Sequence, residues 1–174
     1  QLKETIDHIE HDPDLASFSF RVHNEWVDGG HSQTTIQEFY GAGEERTRSE
    51  PFVLNGDEPP VILGKNRGPN AVEAALHALA ACLATGFGYN AAARGIEIES
   101  LEMDIEGDLD LHGFLGLSDD VRPGYKNVRV TYRVKTDAPE DQVLELCDYV
   151  QRTSPVLDIF QNSVPVSVTG EQID

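Results

Sequence analysis

The stretch VEAALHALAACLATGFGYNAAARG, residues 72–95, is built almost wholly of alanine, leucine and glycine and carries a single cysteine, Cys82, near its middle. Asn70 stands before it as a helix N-cap and Gly95 follows Arg94 as a stop, so the spacing predicts one helix of about 24 residues. With about 100° between successive residues, Ala75, Ala78, Leu79, Thr85, Gly86 and Tyr89 share the face of Cys82. Leucine and alanine continue around most of the cylinder, so the helix has no wide polar face and must be covered on nearly every side. Small side chains admit the close approach of a second helix, which predicts a homodimer in which two copies cross at this face. A helix wrapped by the sheet of its own chain is the alternative.

The stretch is about long enough to cross a bilayer, but Glu73, His77, Asn90 and Arg94 interrupt it, and alanine and glycine carry little transfer energy. We expect no membrane span. Nor does the helix supply Cys82 with a partner. Glu73 and His77 point well away from it around the axis, and the helix dipole fades within the first turn. Two readings follow from the residues alone: an inert packed thiol, as free cysteines often are, or a reactive thiol whose partner comes from a strand, a loop or another subunit.

Working outward, 31 acidic against 13 basic residues leave a formal charge of -18, which argues against nucleic acid as a partner. No basic amphipathic stretch offers itself to an anionic membrane surface. Only four of the basic residues are lysines, a balance that fits a salt-adapted surface as well as an ordinary acidic one. Two cysteines make no disulfide framework, and the first residues lack the basic and apolar blocks of a signal peptide, so a cytoplasmic protein is expected.

The 174 residues contain no internal repeat and fit one domain of α+β class. Residues 1–16 read as a helical extension, 17–66 as strands, 70–95 as the central helix, and 96–174 as strands and a second helical region. ASFSFRVHNEWVD and HSQTTIQEFY alternate and flank a glycine pair, which predicts a hairpin, and RTRSEPFVL adds a third strand. IEIESLEMDIEGDLDL and KNVRVTYRVKTD are two-faced strands. APEDQVLELCDYVQRT is an amphipathic helix, SPVLDIFQN a short one with Ser154 as cap and Pro155 in its first position, and VPVSVTGEQI a last strand. Cys147 reads as a core residue beside Val143, Leu144 and Val150. His8 and His11, beside Asp12, have the spacing of a metal pair but read as surface residues. Trp26 and Tyr40 read as core or interface aromatics, and HGFLGL as a loop packed on the sheet, with an exposed apolar lip over a pocket as the alternative.

DEPPVILGKNRGPNAVEAALHALAACLATG, followed much later by RTSPVLDIFQNSVPVSV, resembles the OsmC/Ohr superfamily of osmotically induced and organic hydroperoxide resistance proteins. The resemblance runs from about residue 20 to 172. It implies an OsmC-like intertwined homodimer with two long central helices wrapped by antiparallel-rich β-sheets. It also implies a thiol peroxidase in which Cys82 matches the cysteine that attacks an organic hydroperoxide, without metal or other cofactor, and which an external thiol restores. Three positions depart from the family pattern. Ser154 stands where the resolving cysteine is expected, Val72 where a glutamate is, and His31 where an arginine is. Arg46 and Arg48 on the third strand are the candidate sources of a guanidinium for the thiolate. A dimer of the same fold that binds a small apolar or thiol-reactive ligand without turnover is the alternative function.

Overall fold

The computed structural model describes residues 2–173. The chain divides into two compact units, with the boundary between Ala75 and Leu76.

The amino-terminal unit opens with helix α1, Leu2–His11, and a single 3-10 turn, Pro13–Ala16. Strands β1, Phe18–Phe20, and β2, His23–Asp28, follow; both pair antiparallel with β3, His31–Gly41. Phe20 lies opposite Phe39 and His23 opposite Thr35, so the alternating run expected as one strand is broken at Arg21 and Val22. The hairpin expected around the glycine pair is present, with Gly29 in the left-handed region at φ 53°.

Strand β4, Glu44–Gly56, also pairs with β3 and is longer than the sequence indicates. A strand has two edges, so β1 and β2 lie end to end along one and β4 takes the other. The register slips between Ile36 and Glu38, and Pro51 falls in the irregular part of β4. A proline has no N–H for the ladder and is tolerated at such a bulge.

Helix α2, Ala71–Ala93, is closed at both ends as its sequence requires. Asn70 Oδ1 accepts from Glu73 N at 2.9 Å and Glu73 Oε2 accepts from Asn70 N at 2.9 Å, a reciprocal capping box. At the other end Ile96 N donates to Ala91 O at 2.9 Å and Gly95 N to Ala92 O at 3.2 Å, with Gly95 at φ 72°. The helix is apolar and long enough to cross a membrane by length and composition. One stripe of it, Leu79, Leu83, Phe87 and Ala91, is buried inside the chain.

That stripe begins the core of the second unit. Strands β5, Ser100–Asp108, and β6, Asn127–Lys135, form a two-stranded antiparallel ribbon with Met103 opposite Tyr132. Period-two alternation turns Leu101, Met103, Ile105, Val128, Val130, Tyr132 and Val134 toward the core. It leaves the acids and arginines of the other face to pair across the strands, as Arg129 does with Glu106 and Asp108. Between the strands lies a one-turn helix, α3, Leu111–Phe114. Helix α4, Glu140–Thr153, buries Leu146 and Val150 against α2, and α5, Pro155–Gln161, follows.

Three expectations are corrected. Residues 163–173 form no strand. Val166 and Val168 are 79% and 89% exposed, and a strand needs a neighbour for its backbone groups. HGFLGL is not packed: Phe114, Leu115 and Leu117 are exposed. Leu144 is exposed beside the partly buried Cys147. Trp26, expected in the core or at an interface, is exposed in this chain, its indole N–H donating to Gly29 O at 2.9 Å.

Candidate functional site

Cys82 sits one turn beyond Ala78 on α2, at the margin between the buried stripe and an exposed one, and its thiol is half-buried. Four residues on, Gly86 has no side chain. A β-carbon built there lies 3.1 Å from Val150 Cγ1, so α4 approaches the α2 backbone closely at this point. Four residues after Val150 comes Ser154, and its Oγ lies 3.2 Å from Cys82 Sγ. Gly86 with Val150 and Cys82 with Ser154 are thus successive rungs between two antiparallel segments, one helical turn apart.

Ser154 is 6% exposed and ends α4 while capping α5. Its Oγ accepts the N–H of Leu157 at 3.2 Å. The hydroxyl therefore has its proton left for the sulfur. Once the thiol has lost its own proton, only Ser154 can be the donor in this contact.

Tyr132, on the inner face of β6, faces the same core, its ring 5.9 Å from that of Phe87. Its hydroxyl oxygen is buried and is the one side-chain polar atom of that kind without a partner among the described residues. Burial, and after it the charges of Cys147 and Cys82, push the phenol up to about 12. Burial first, then neighbouring Asp148, also pushes the Cys147 thiol up. Sequence reasoning passed over Tyr132; the signal was its inward place in KNVRVTYRV.

Of the residues expected from sequence, the structure brings Cys82 and Ser154 together. Arg46 and Arg48 belong to the amino-terminal unit and are engaged there. Arg46 Nε donates to Gly41 O at 3.0 Å, and its guanidinium pairs with Glu44 at 2.9 Å. Arg48 donates to Gln37 O at 3.1 Å and lies over the Phe39 and Phe52 rings. Val72 is in the first turn of α2, and the adjacent carboxylate, Glu73, is used in the cap.

His31 Nδ1 lies 2.9 Å from Arg67 Nη1 and its Nε2 lies 3.1 Å from Asn55 Oδ1. An arginine only donates, so His31 accepts at Nδ1 and carries its proton at Nε2. Arg67 also pairs with Asp28 at 3.0 Å. His8, His11 and Asp12 form no metal cluster among the described residues, and His11 Nδ1 instead meets Asp7 O at 2.6 Å. A cleft of about 380 Å³ opens among Arg94, Glu97, Thr136, Asp137 and Gln142, and Cys82 is not in its lining.

A family model described as OsmC-like protein matches residues 64–169, more than half of the chain and all of the Cys82 and Ser154 site. The chain belongs to the OsmC-like protein family. Among solved structures, this OsmC-like chain is similar to an OsmC-like protein from Mycoplasma pneumoniae, with a TM-score of 0.62 and 19% identity over 82% of this chain and 87% of that one. It is similar also to a putative osmotic stress induced and detoxification response protein from Psychrobacter arcticus 273-4, with a TM-score of 0.58 and 14% identity over 79% and 85%. A third is an organic hydroperoxide resistance protein OsmC, predicted redox protein, from Legionella pneumophila, with a TM-score of 0.53 and 14% identity over 82% and 90%. At such identities the likeness is one of fold. No curated protein matches the sequence.

Proposed function

We propose that this OsmC-like protein reduces organic hydroperoxides through one cysteine, Cys82, with an external thiol as reductant. The observation that carries the reading is the pairing of a half-buried thiol on α2 with a hydroxyl, not with a second thiol. The Cys82 thiolate attacks the outer oxygen of the hydroperoxide. An S–O bond forms, the weak O–O bond breaks, and the alkoxide leaves and takes a proton, so that the substrate becomes an alcohol and the sulfur a sulfenic acid. One external thiol then displaces water to form a mixed disulfide, and a second releases Cys82 as the thiol.

The protein acts in this reading as an intertwined cytoplasmic homodimer, with no nucleic-acid or membrane partner. Two features support the second copy: the exposed small side chains Ala74, Ala78, Ala81 and Thr85 along α2, and the exposed, unpaired valines of residues 164–168. Sedimentation of the purified protein tests this part.

Reduced protein consumes cumene hydroperoxide in the presence of a dithiol, Cys147→Ser retains that activity, and Cys82→Ser loses it. Equal rates for the wild type and Cys82→Ser overturn the reading. A second reading, a dimer that binds a small apolar or thiol-reactive ligand without turnover, is favoured by one observation: both candidate guanidiniums, Arg46 and Arg48, are already engaged by carbonyl oxygens.

A further inference from the structure

Ser154 occupies the place where a disulfide partner is expected, yet its geometry lets it donate a hydrogen bond to a charged sulfur. The oxygen is buried and 3.2 Å from the Cys82 sulfur, and one lone pair is fixed by the Leu157 N–H at 3.2 Å. That bond leaves the hydroxyl proton and one lone pair for the sulfur, so the hydroxyl can accept from the thiol and is the donor once the sulfur is charged. The Tyr132 hydroxyl in the same core, without a partner among the described residues, marks further hydrogen-bonding capacity there.

We infer that Ser154 is a hydrogen-bond donor to the Cys82 sulfur whenever that sulfur is charged, and leaves the sulfenic acid open to an external thiol after oxidation. The second half rests on the peroxidase reading above; the first does not. A donor to the charged form raises the fraction of thiolate, and one such bond corresponds to about tenfold in that fraction. A serine has no sulfur to attack the oxidised cysteine, so the S–S bond must be made by a thiol from outside.

The test is alkylation of Cys82 by iodoacetamide in a Cys147→Ser background, taking the ratio of the rate at pH 7 to that at pH 10.5. The ratio cancels differences in access and reports the thiolate fraction. Ser154→Gly removes the hydroxyl and, because glycine is tolerated at an N-cap, leaves α5 nearly as stable. It lowers the ratio about tenfold, whereas Ser154→Thr, which keeps the hydroxyl, leaves it within twofold of the parent. A ratio in Ser154→Gly equal to the parent's overturns the donor role.

Ser154→Cys separates the two readings. In that variant one equivalent of cumene hydroperoxide closes a disulfide between Cys82 and the introduced thiol, seen as a loss of two hydrogens by mass, while the parent gains one oxygen. If no oxygen is gained and no disulfide closes, the peroxidase reading fails, and the alkylation ratio still decides the donor role by itself.

Discussion

A β-carbon added to Gly86 stands 3.1 Å from Val150 Cγ1, one turn away from the contact between Cys82 and Ser154. The absence of a side chain at 86 sets the separation of α2 and α4, and that separation sets the distance from thiol to hydroxyl. Val150 is 1% exposed and packed in the core, so it has little room to retreat.

Gly86→Ala therefore has two opposed effects. Alanine gains about 1 kcal/mol of helix propensity, and the crowding at Val150 costs a similar amount, so chemical denaturation finds it within about 1 kcal/mol of the parent. Gly86→Leu has no such balance and loses about 3 kcal/mol. If Gly86→Leu unfolds at the parent's urea concentration, the two helices are not in the contact described.

Much of this was legible in the sequence, and for identifiable reasons. Asn70, then Arg94 and Gly95, punctuate a helix whose bounds follow from local chemistry, and the alternation of residues 100–108 and 127–135 survives as a ribbon. What failed depends on contacts that a local pattern does not display. Residues 164–168 alternate like a strand, but alternation cannot supply a neighbouring backbone, and they lie exposed. Ser154 reads in sequence as a missing cysteine. Its meeting with Cys82, 72 positions away in sequence, is a tertiary fact that no periodicity encodes.

Asp57 gives a prediction about acid. It is buried at 3% exposure, and burial alone would raise its pKa. Three backbone N–H groups outweigh that effect, from Arg67 at 3.1 Å, Glu58 at 2.8 Å and Lys65 at 3.1 Å, and the carboxyl is held below its ordinary value. Since the unfolded chain takes up the proton first, this stabilisation is complete above the ordinary carboxylate range of about 4 and is lost as pH falls below it. Asp57→Asn is less stable than the parent at pH 7, and the difference shrinks on titration to pH 3. A difference independent of pH shows that the charge is not what holds residues 57–67.

Tyr132 gives the opposite kind of prediction, a substitution that stabilises. Its buried hydroxyl has no partner among the described residues, and leaving such a group unpaired costs about 1 to 3 kcal/mol. Tyr132→Phe keeps the ring against Phe87 and removes the oxygen, so the unfolding free energy at pH 7 rises by about 1 kcal/mol. The alkaline limb supplies a second check. The phenol is pushed up to about 12 in the folded chain, while the unfolded phenol ionises near 10, so the parent loses stability as pH rises through that interval. The part of that loss due to Tyr132 is absent from Tyr132→Phe, and difference absorbance of the phenolate during the titration follows it directly. If the variant is instead less stable at pH 7, the hydroxyl has a partner in solution, and a water or a ligand atom beside Cys82 is the group to look for.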